Sequence, residues 1–387
     1  MKKDVYELTS PQNNIWLIEQ FYEDTAINNI VGYLKFNMKI DVQIIKNAAN
    51  LFVKENDSLR SKFTMQQENV VQYIEDYSSF DINVIQCNDN EAKNIKEIFA
   101  TKPFEILNHF LYDTLIIEFP DNTCGLLFKL HHLISDAWTM SLCLSQILDN
   151  CSYLIKNNCE DRENKPSYIS YINAEKEYFS SNKFEKDKEY WENYFSNLPD
   201  EFSLKKNEQC SFNADRKICV INSNLADKIN NFCLDNKISS YIFFLATFTI
   251  YFRSIYNSKN YIIGNPILNR SNFNEKKTTG LFVTTQPFMV NINDSITFLE
   301  HCSLLSKDQM NMYRHLKYPY SSILSHIRKE KPNVSSLYDI IFSYQNAKVN
   351  IVNNDIDFAS EWIFSKEQMQ SLMVHIKDTD NTRKYIY

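Results

Sequence analysis

Only four glycines occur in these 387 residues: Gly32, Gly125, Gly264 and Gly280. They stand far apart, so neither a glycine-rich phosphate loop nor a dinucleotide-binding fingerprint can form. Both need clustered glycines that let the backbone approach phosphate oxygens. A Gly-x-Ser-x-Gly nucleophile elbow is excluded in the same way. Nine cysteines are scattered without a Cys-x-x-Cys pair or a Cys/His cluster at zinc spacing. They read as reduced core thiols of a cytosolic protein. The chemistry of this chain therefore has to work without an evident bound nucleotide, metal or serine nucleophile.

Apolar residues make up 44% of the chain and charged residues 23%, enough to bury a real core. At roughly 150 residues per domain, two or three units are expected. The net charge is -7, and no basic run exceeds a pair such as Lys2-Lys3 or Lys276-Lys277. A nucleic-acid partner, which would need a basic stripe, is not expected. The most apolar run, Ile242 to Phe252, is shorter than the roughly 20 residues of a membrane helix. The lysines, Asp4 and Glu7 near the start leave no signal-peptide core. These features predict a cytoplasmic location with no membrane partner.

Strand and helix patterns alternate along both halves. Thr9-Ser10-Pro11 caps an aromatic helix over residues 8–24. Val31–Phe36 reads as a strand. Val42–Asn56 reads as an amphipathic helix with Ile45, Ala48, Ala49, Phe52 and Val53 on one face. Further strands are predicted at Leu59–Met65, Val70–Ile74, Ile82–Gln86, Tyr112–Phe119 and Cys124–His131. A long helix follows over Asp136–Ile155, and the polar stretch Asn157–Pro166 reads as an interdomain linker. The second half carries a helix at Tyr178–Phe195, a strand at Lys217–Asn222, a helix at Ser239–Tyr256 and strands at Tyr261–Gly264, Phe282–Ile292 and Tyr338–Gln345. The expected architecture is α/β, with an N-terminal lobe over residues 1–160 and a C-terminal lobe over 161–387. No internal repeat and no low-complexity tract is visible.

The sharpest chemical signal is His131-His132-Leu133-Ile134-Ser135-Asp136. Along Cys124–His132 the side chains alternate, so Leu126, Phe128, Leu130 and His132 share one face, and Leu127, Lys129 and His131 the other. His132 thus emerges on the apolar face, just before a helix. Partial desolvation there lowers its pKa and leaves a lone pair available near neutral pH, as a general base requires. Asp136 can order the loop by accepting hydrogen bonds or pairing with a cation. His-x-x-x-Asp alone is weak, because His109 to Asp113 repeats the spacing inside a predicted strand.

The surroundings decide between these readings. Leu130-His131-His132-Leu133-Ile134-Ser135-Asp136-Ala137-Trp138 resembles the His-His-x-x-x-Asp-Gly motif of condensation domains of nonribosomal peptide synthetases. Ser10-Pro11-Gln12-Asn13-Asn14-Ile15-Trp16-Leu17 resembles that family's first motif, and Ser58-Leu59-Arg60-Ser61-Lys62-Phe63 its Leu-Arg-Thr-x-Phe segment. Ile263 to Arg270, Gly280 to Thr285, and His315 with Tyr318-Pro319-Tyr320 resemble three further motifs in the right order. The likeness runs from about residue 6 to the end.

The resemblance implies a pseudo-dimer of two chloramphenicol-acetyltransferase-like lobes forming a V with a central tunnel. It implies donor and acceptor carrier proteins delivering phosphopantetheine arms, a neighbouring adenylation domain, no cofactor bound by the chain itself, and a monomeric domain of a larger polypeptide. Its reaction joins an acyl donor thioester, carrier-bound or CoA-bound, to a carrier-bound aminoacyl acceptor through an amide. His132 becomes the catalytic histidine, with Asp136 and His131 beside it and His131 as the structural member. Arg270 becomes the buried ion partner of Asp136, and Ala137 and Trp138 supports of the site.

Ala137 replaces the motif's glycine, which would be strained if φ were positive. Thr284 replaces an asparagine and Leu316 a glutamine. Family members commonly continue for some tens of residues, so a fragment or a trimmed C-terminal lobe is expected. The few residues before the first motif fit a starter, lipo-initiating domain or a free-standing one. The alternatives are an epimerising or ester-forming relative, or a catalytically dead recruitment module. Ser135-Asp136-Ala137-Trp138 and the intact His132 favour the condensing kind.

Overall fold

The computed structural model describes residues 3–157, 165–199, 204, 212–256, 258–345, 356–379 and 384–386. The linker expected at Asn157–Pro166 lies mostly outside them.

The first half runs β1 (Tyr6–Glu7), α1 (Ser10–Phe21), β2 (Asn29–Lys39), α2 (Val42–Glu55), β3 (Ser61–Gln66), β4 (Asn69–Ile74), β5 (Asn83–Gln86), α3 (Asp89–Thr101), β6 (Tyr112–Glu118), β7 (Thr123–His131) and α4 (Ala137–Asn157). α1 begins at a capping box. The Thr9 hydroxyl accepts from the Gln12 amide and the Gln12 side chain accepts from the Thr9 amide, so helix-end donors are satisfied reciprocally. α2 buries Ile45, Ala48, Ala49, Phe52 and Val53, the face its period marks. Strand alternation also holds in β7. Leu126, Phe128 and Leu130 join the main core with α2 and α4, whereas Leu127 faces a second cluster with Val31, Tyr33 and Ala100.

The second half runs α5 (Ile169–Phe179), α6 (Asn182–Tyr194), α7 (Ser223–Asp235), α8 (Ser240–Tyr256), β8 (Asn260–Ile267), α9 (Phe273–Lys277), β9 (Thr284–Asn291), α10 (Phe298–Tyr313), α11 (Tyr320–Ile327), β10 (Ile340–Gln345), β11 (Phe358–Ile363), β12 (Leu372–Thr379) and β13 (Lys384–Ile386). It builds its own core around α8, β8, β9 and β10, with Leu245, Tyr261, Ile263, Phe288 and Phe342 buried. Two five-stranded sheets result, β11-β2-β7-β6-β5 and β13-β12-β10-β8-β9, with a small sheet β1-β4-β3 beside the first. The fold is mixed α/β.

The chain does not stay within its halves. β11 pairs antiparallel with β2, Phe358 opposite Phe36 and Ile363 opposite Val31, so a strand from beyond residue 350 completes the first sheet. Among the described residues no single helix is long and apolar enough to cross a membrane.

Several local expectations are corrected. The strand expected at Leu59–Met65 starts only at Ser61, because Asp57–Arg60 forms a 3-10 turn. The helix expected over Tyr178–Phe195 is two helices. The first ends with Ser180 as its C-cap, and Ser181 caps the second by accepting from the Phe184 amide. Lys217–Asn222 forms no strand; Val220 makes a single β-bridge, and both Ile218 and Val220 are exposed. His109 sits in an exposed turn ahead of β6, not in a strand, with its Nε2 3.2 Å from Glu105.

Candidate active site

β7 ends at His131, where the strand pattern puts its end. A single 3-10 turn, His132–Ile134, then leads into α4. His131 is buried, and its ring bridges two groups. Nε2 lies 3.1 Å from Glu19 Oε1, and Nδ1 accepts from the Leu133 amide at 3.1 Å. The His131 carbonyl accepts from the Ser135 hydroxyl at 2.9 Å.

His132 is half-buried, and its backbone N–H donates to the Asn28 carbonyl at 2.8 Å. Its Nδ1 is covered and has no hydrogen-bond partner among the described residues. Burial depresses its pKa below the usual histidine value. Asp136 opposes that shift, His131 adds to it, and the main chain at His132 and Ser135 opposes it. The ring is therefore neutral near pH 7, with a lone pair to offer.

Asp136 is fully buried and caps α4. Its Oδ1 accepts from the Thr139 amide at 2.8 Å, and its carbonyl accepts from the Met140 amide. Its Oδ2 accepts from the amides of Phe282 and Val283 at 3.1 and 3.2 Å. Arg270 completes the set, with Nη2 at 3.1 Å from Oδ1 and 3.2 Å from Oδ2. The same nitrogen donates to Thr139 Oγ1 and the Gly280 carbonyl, while Nη1 donates to the carbonyls of Glu275 and Thr278. The Phe282 ring lies 3.9 Å from the guanidinium carbon. A loop of the second half is thereby latched onto the first turn of α4.

Gly280 makes that latch possible. Its φ is +136°, and a Cβ there would lie 2.3 Å from the ring of Tyr168. The Tyr168 hydroxyl donates to the Leu281 carbonyl at 2.6 Å. Ala137, by contrast, is the first residue of α4 and does not have a positive φ, so alanine costs nothing in place of the motif's glycine. Trp138 Nε1 donates to the Lys276 carbonyl at 2.8 Å and ties the helix to α9.

The sequence motifs thus meet in space around one strand-to-helix turn. The exception is His315, which pairs with buried Asp187 at 2.6 Å, stacks on Tyr190, and belongs to the second core's support. Thr284 is buried in β9, and Leu316 packs against the second core while its carbonyl accepts from Gln286.

Sequence reading missed Glu19, Gln12, Gln72 and Asn28. Gln12 Nε2 donates to the Leu133 carbonyl and to Gln72 Oε1, each at 3.0 Å, and so braces the turn from behind. Gln12 and Glu19 are buried polar residues seven apart on α1, hence on one face. That spacing was the available signal.

A family model described as Condensation domain matches residues 2–385. This chain belongs to the condensation-domain family. Such domains of nonribosomal peptide synthetases are acyltransferases that form amide bonds. This condensation domain is 29% identical to surfactin synthase subunit 1 of Bacillus subtilis (strain 168), over 99% of the chain and 11% of that protein. With bacitracin synthase 3 of Bacillus licheniformis the identity is 25%, over 89% of the chain and 5% of that protein. The chain therefore spans only a small part of the curated relatives it matches. Among solved structures it superposes on the first condensation domain of the calcium-dependent antibiotic synthetase in complex with substrate analogue 2a. That match has a TM-score of 0.84 at 14% identity, covering 99% of this chain and 90% of the other. A variant of the starter condensation domain of rhizomide synthetase RzmA in complex with C8-CoA gives 0.85 at 15%, covering 99% and 88%. At these identities the structural likeness shows the fold.

Proposed function

We propose that this condensation domain joins a carrier-bound or CoA-bound acyl thioester to a carrier-bound aminoacyl group. The observation that carries the reading is His132: a half-exposed neutral imidazole on a turn braced by a buried Asp136–Arg270 pair. The acceptor amine attacks the donor thioester carbonyl, the C–S bond breaks, and the thiol leaves as the amide forms. His132 accepts or positions the proton the amine must lose, and that proton goes on to the thiolate. The thioester is already activated, so no covalent enzyme intermediate is needed.

In this reading the two halves are the lobes of a V, divided near residue 160, and the reaction takes place in a tunnel between them. Carrier proteins dock at opposite mouths and supply the phosphopantetheine arms, so the domain holds no cofactor of its own. It acts as a monomeric unit of a larger cytoplasmic synthetase, beside an adenylation domain. For the donor we put a fatty-acyl thioester first. Support comes from the rhizomide starter domain, whose structure with C8-CoA superposes over nearly the whole chain.

The test is a reconstituted assay with acyl-CoA, acyl-carrier or peptidyl-carrier donors and an aminoacyl-carrier acceptor, read by mass spectrometry. Amide product from the native chain is expected, with a loss of about 10²- to 10⁴-fold in a folded His132→Ala variant. Unchanged turnover in that variant overturns the catalytic reading. Turnover with peptidyl donors alone overturns the fatty-acyl one.

A further inference from the structure

We propose that Glu19 is a positioning residue: its buried carboxylate fixes the tautomer of His131 and, with Asn28, the backbone on which His132 stands. The proposal rests on the reading that His132 acts on the acceptor amine.

The contacts form a closed circuit. Glu19 is 9% exposed, and its Oε1 receives both His131 Nε2 at 3.1 Å and Asn28 Nδ2 at 2.5 Å. Asn28 in turn offers its carbonyl to the His132 N–H at 2.8 Å. On the other side of the imidazole, Nδ1 accepts from the Leu133 N–H. A ring nitrogen that accepts from an amide carries no proton, so neutral His131 must hold its proton on Nε2 and donate it to Glu19. One carboxylate oxygen thus governs both anchors of the turn. Through the imidazole it holds the amide after His132, and through Asn28 it holds the amide of His132 itself.

The alternative tautomer shows why the carboxylate matters. With the proton on Nδ1, the ring would present N–H to the Leu133 N–H, and the two donors would repel. The turn would lose its tie between His131 and Leu133, and His132 would swing with it. A buried carboxylate beside Nε2 excludes that state, as carboxylates do for metal-bound histidines. Gln12 on the Leu133 carbonyl and Ser135 on the His131 carbonyl then lock the remaining main-chain groups. Carboxylate, ring and turn come from α1, β7 and the 3-10 segment, so the device joins parts of the chain more than a hundred residues apart.

The test compares two variants of the full chain. Glu19→Met keeps the volume but removes both acceptors; Glu19→Gln keeps an acceptor oxygen without the charge. Histidine-selective ¹⁵N spectra should show His131 protonated on Nε2 in the native protein and in Glu19→Gln. In Glu19→Met, signal on protonated Nδ1 should appear. In the reconstituted condensation assay, Glu19→Met should lower kcat by about 10- to 100-fold with KM for both carriers unchanged, as expected for a misplaced reacting group. Glu19→Gln should stay within a few-fold of native. Equal losses in both variants, a native kcat in folded Glu19→Met, or a native His131 protonated on Nδ1 each overturn the proposal. If Glu19→Met does not fold, the native spectrum and Glu19→Gln still decide it. A fully active His132→Ala would instead sink the catalytic reading and leave the tautomer result standing.

Discussion

Asp136 and Arg270 meet across 134 residues of chain with both side chains wholly out of solvent, and the other bonds of the pair divide between Thr139 of α4 and the loop 270–283. The carboxylate also takes three backbone amides, from Thr139, Phe282 and Val283. The guanidinium also gives to three carbonyls, of Glu275, Thr278 and Gly280. Such a pair adds little net stability, because desolvation offsets the attraction. What it adds is geometry: the loop 270–283 can sit on α4 in one way only.

Breaking one side leaves the other charge buried. Arg270→Met should therefore cost about 3–5 kcal/mol in denaturant unfolding, and Asp136→Asn somewhat less, since the amide keeps part of the cap. The double variant should lose less than the sum of the two. Strict additivity in the double-mutant cycle would contradict the coupling.

Two small residues beside the pair should behave oppositely. Ala137→Gly should leave turnover unchanged and cost at most about 1 kcal/mol, the ordinary penalty of glycine in a helix. Gly280→Ala meets both a positive φ and the Tyr168 ring, and should cost roughly 2 kcal/mol or more, with reduced turnover as the Phe282 and Val283 amides shift. Thermal melts and the condensation assay check both. A neutral Gly280→Ala would show that the latch tolerates another backbone path.

The depressed pKa of His132 has a kinetic signature. The base form is competent, so kcat/KM should fall on the acid side only when pH drops below the ordinary histidine value of about 6.5, not at it. Removing the opposing charge with Asp136→Asn should move the acid limb lower still, provided the variant remains folded. A limb at or above the ordinary value would mean that another group controls the rate. The measurement is a pH profile of kcat/KM at acceptor concentrations below KM, with protein integrity followed by circular dichroism.

Much of the site was legible because its cause is local. Alternation along Leu126, Phe128 and Leu130 sets the faces of β7, and Thr9 with Gln12 writes the start of α1 in four residues. α3 was not read: its capping box at Asn88 and Glu91 was a local signal, but a largely polar surface, with Ala92 and Ala100 buried, hid its inward face. What could not be read depends on distance. Nothing in Phe358–Ile363 says that its partner is β2, because strand pairing is fixed by which edge remains open after the sheet assembles. Glu19 was hidden for a related reason. An acidic residue on a terminal helix reads as solvent-facing until the fold brings His131 and Asn28 against it.

Glu175 shows that the support of α1 also has a cost. Its carboxylate receives the Ser10 amide, at 2.9 Å to Oε2, at the start of the helix. Burial pushes its pKa up to about 6 from an ordinary 4.5, against the opposing pull of Ser10 and Lys317. Between those values the native chain binds more protons than the unfolded one. This group's contribution to stability therefore falls as pH rises through that window, and the penalty is complete above it. Glu175→Gln keeps an acceptor for Ser10 and removes the buried charge. It should stabilise the protein on the order of 1–2 kcal/mol at pH 7.5, with the gain fading toward pH 4.5. Urea unfolding of both proteins across that range measures it. A gain that does not change with pH would assign the effect to packing instead of the charge.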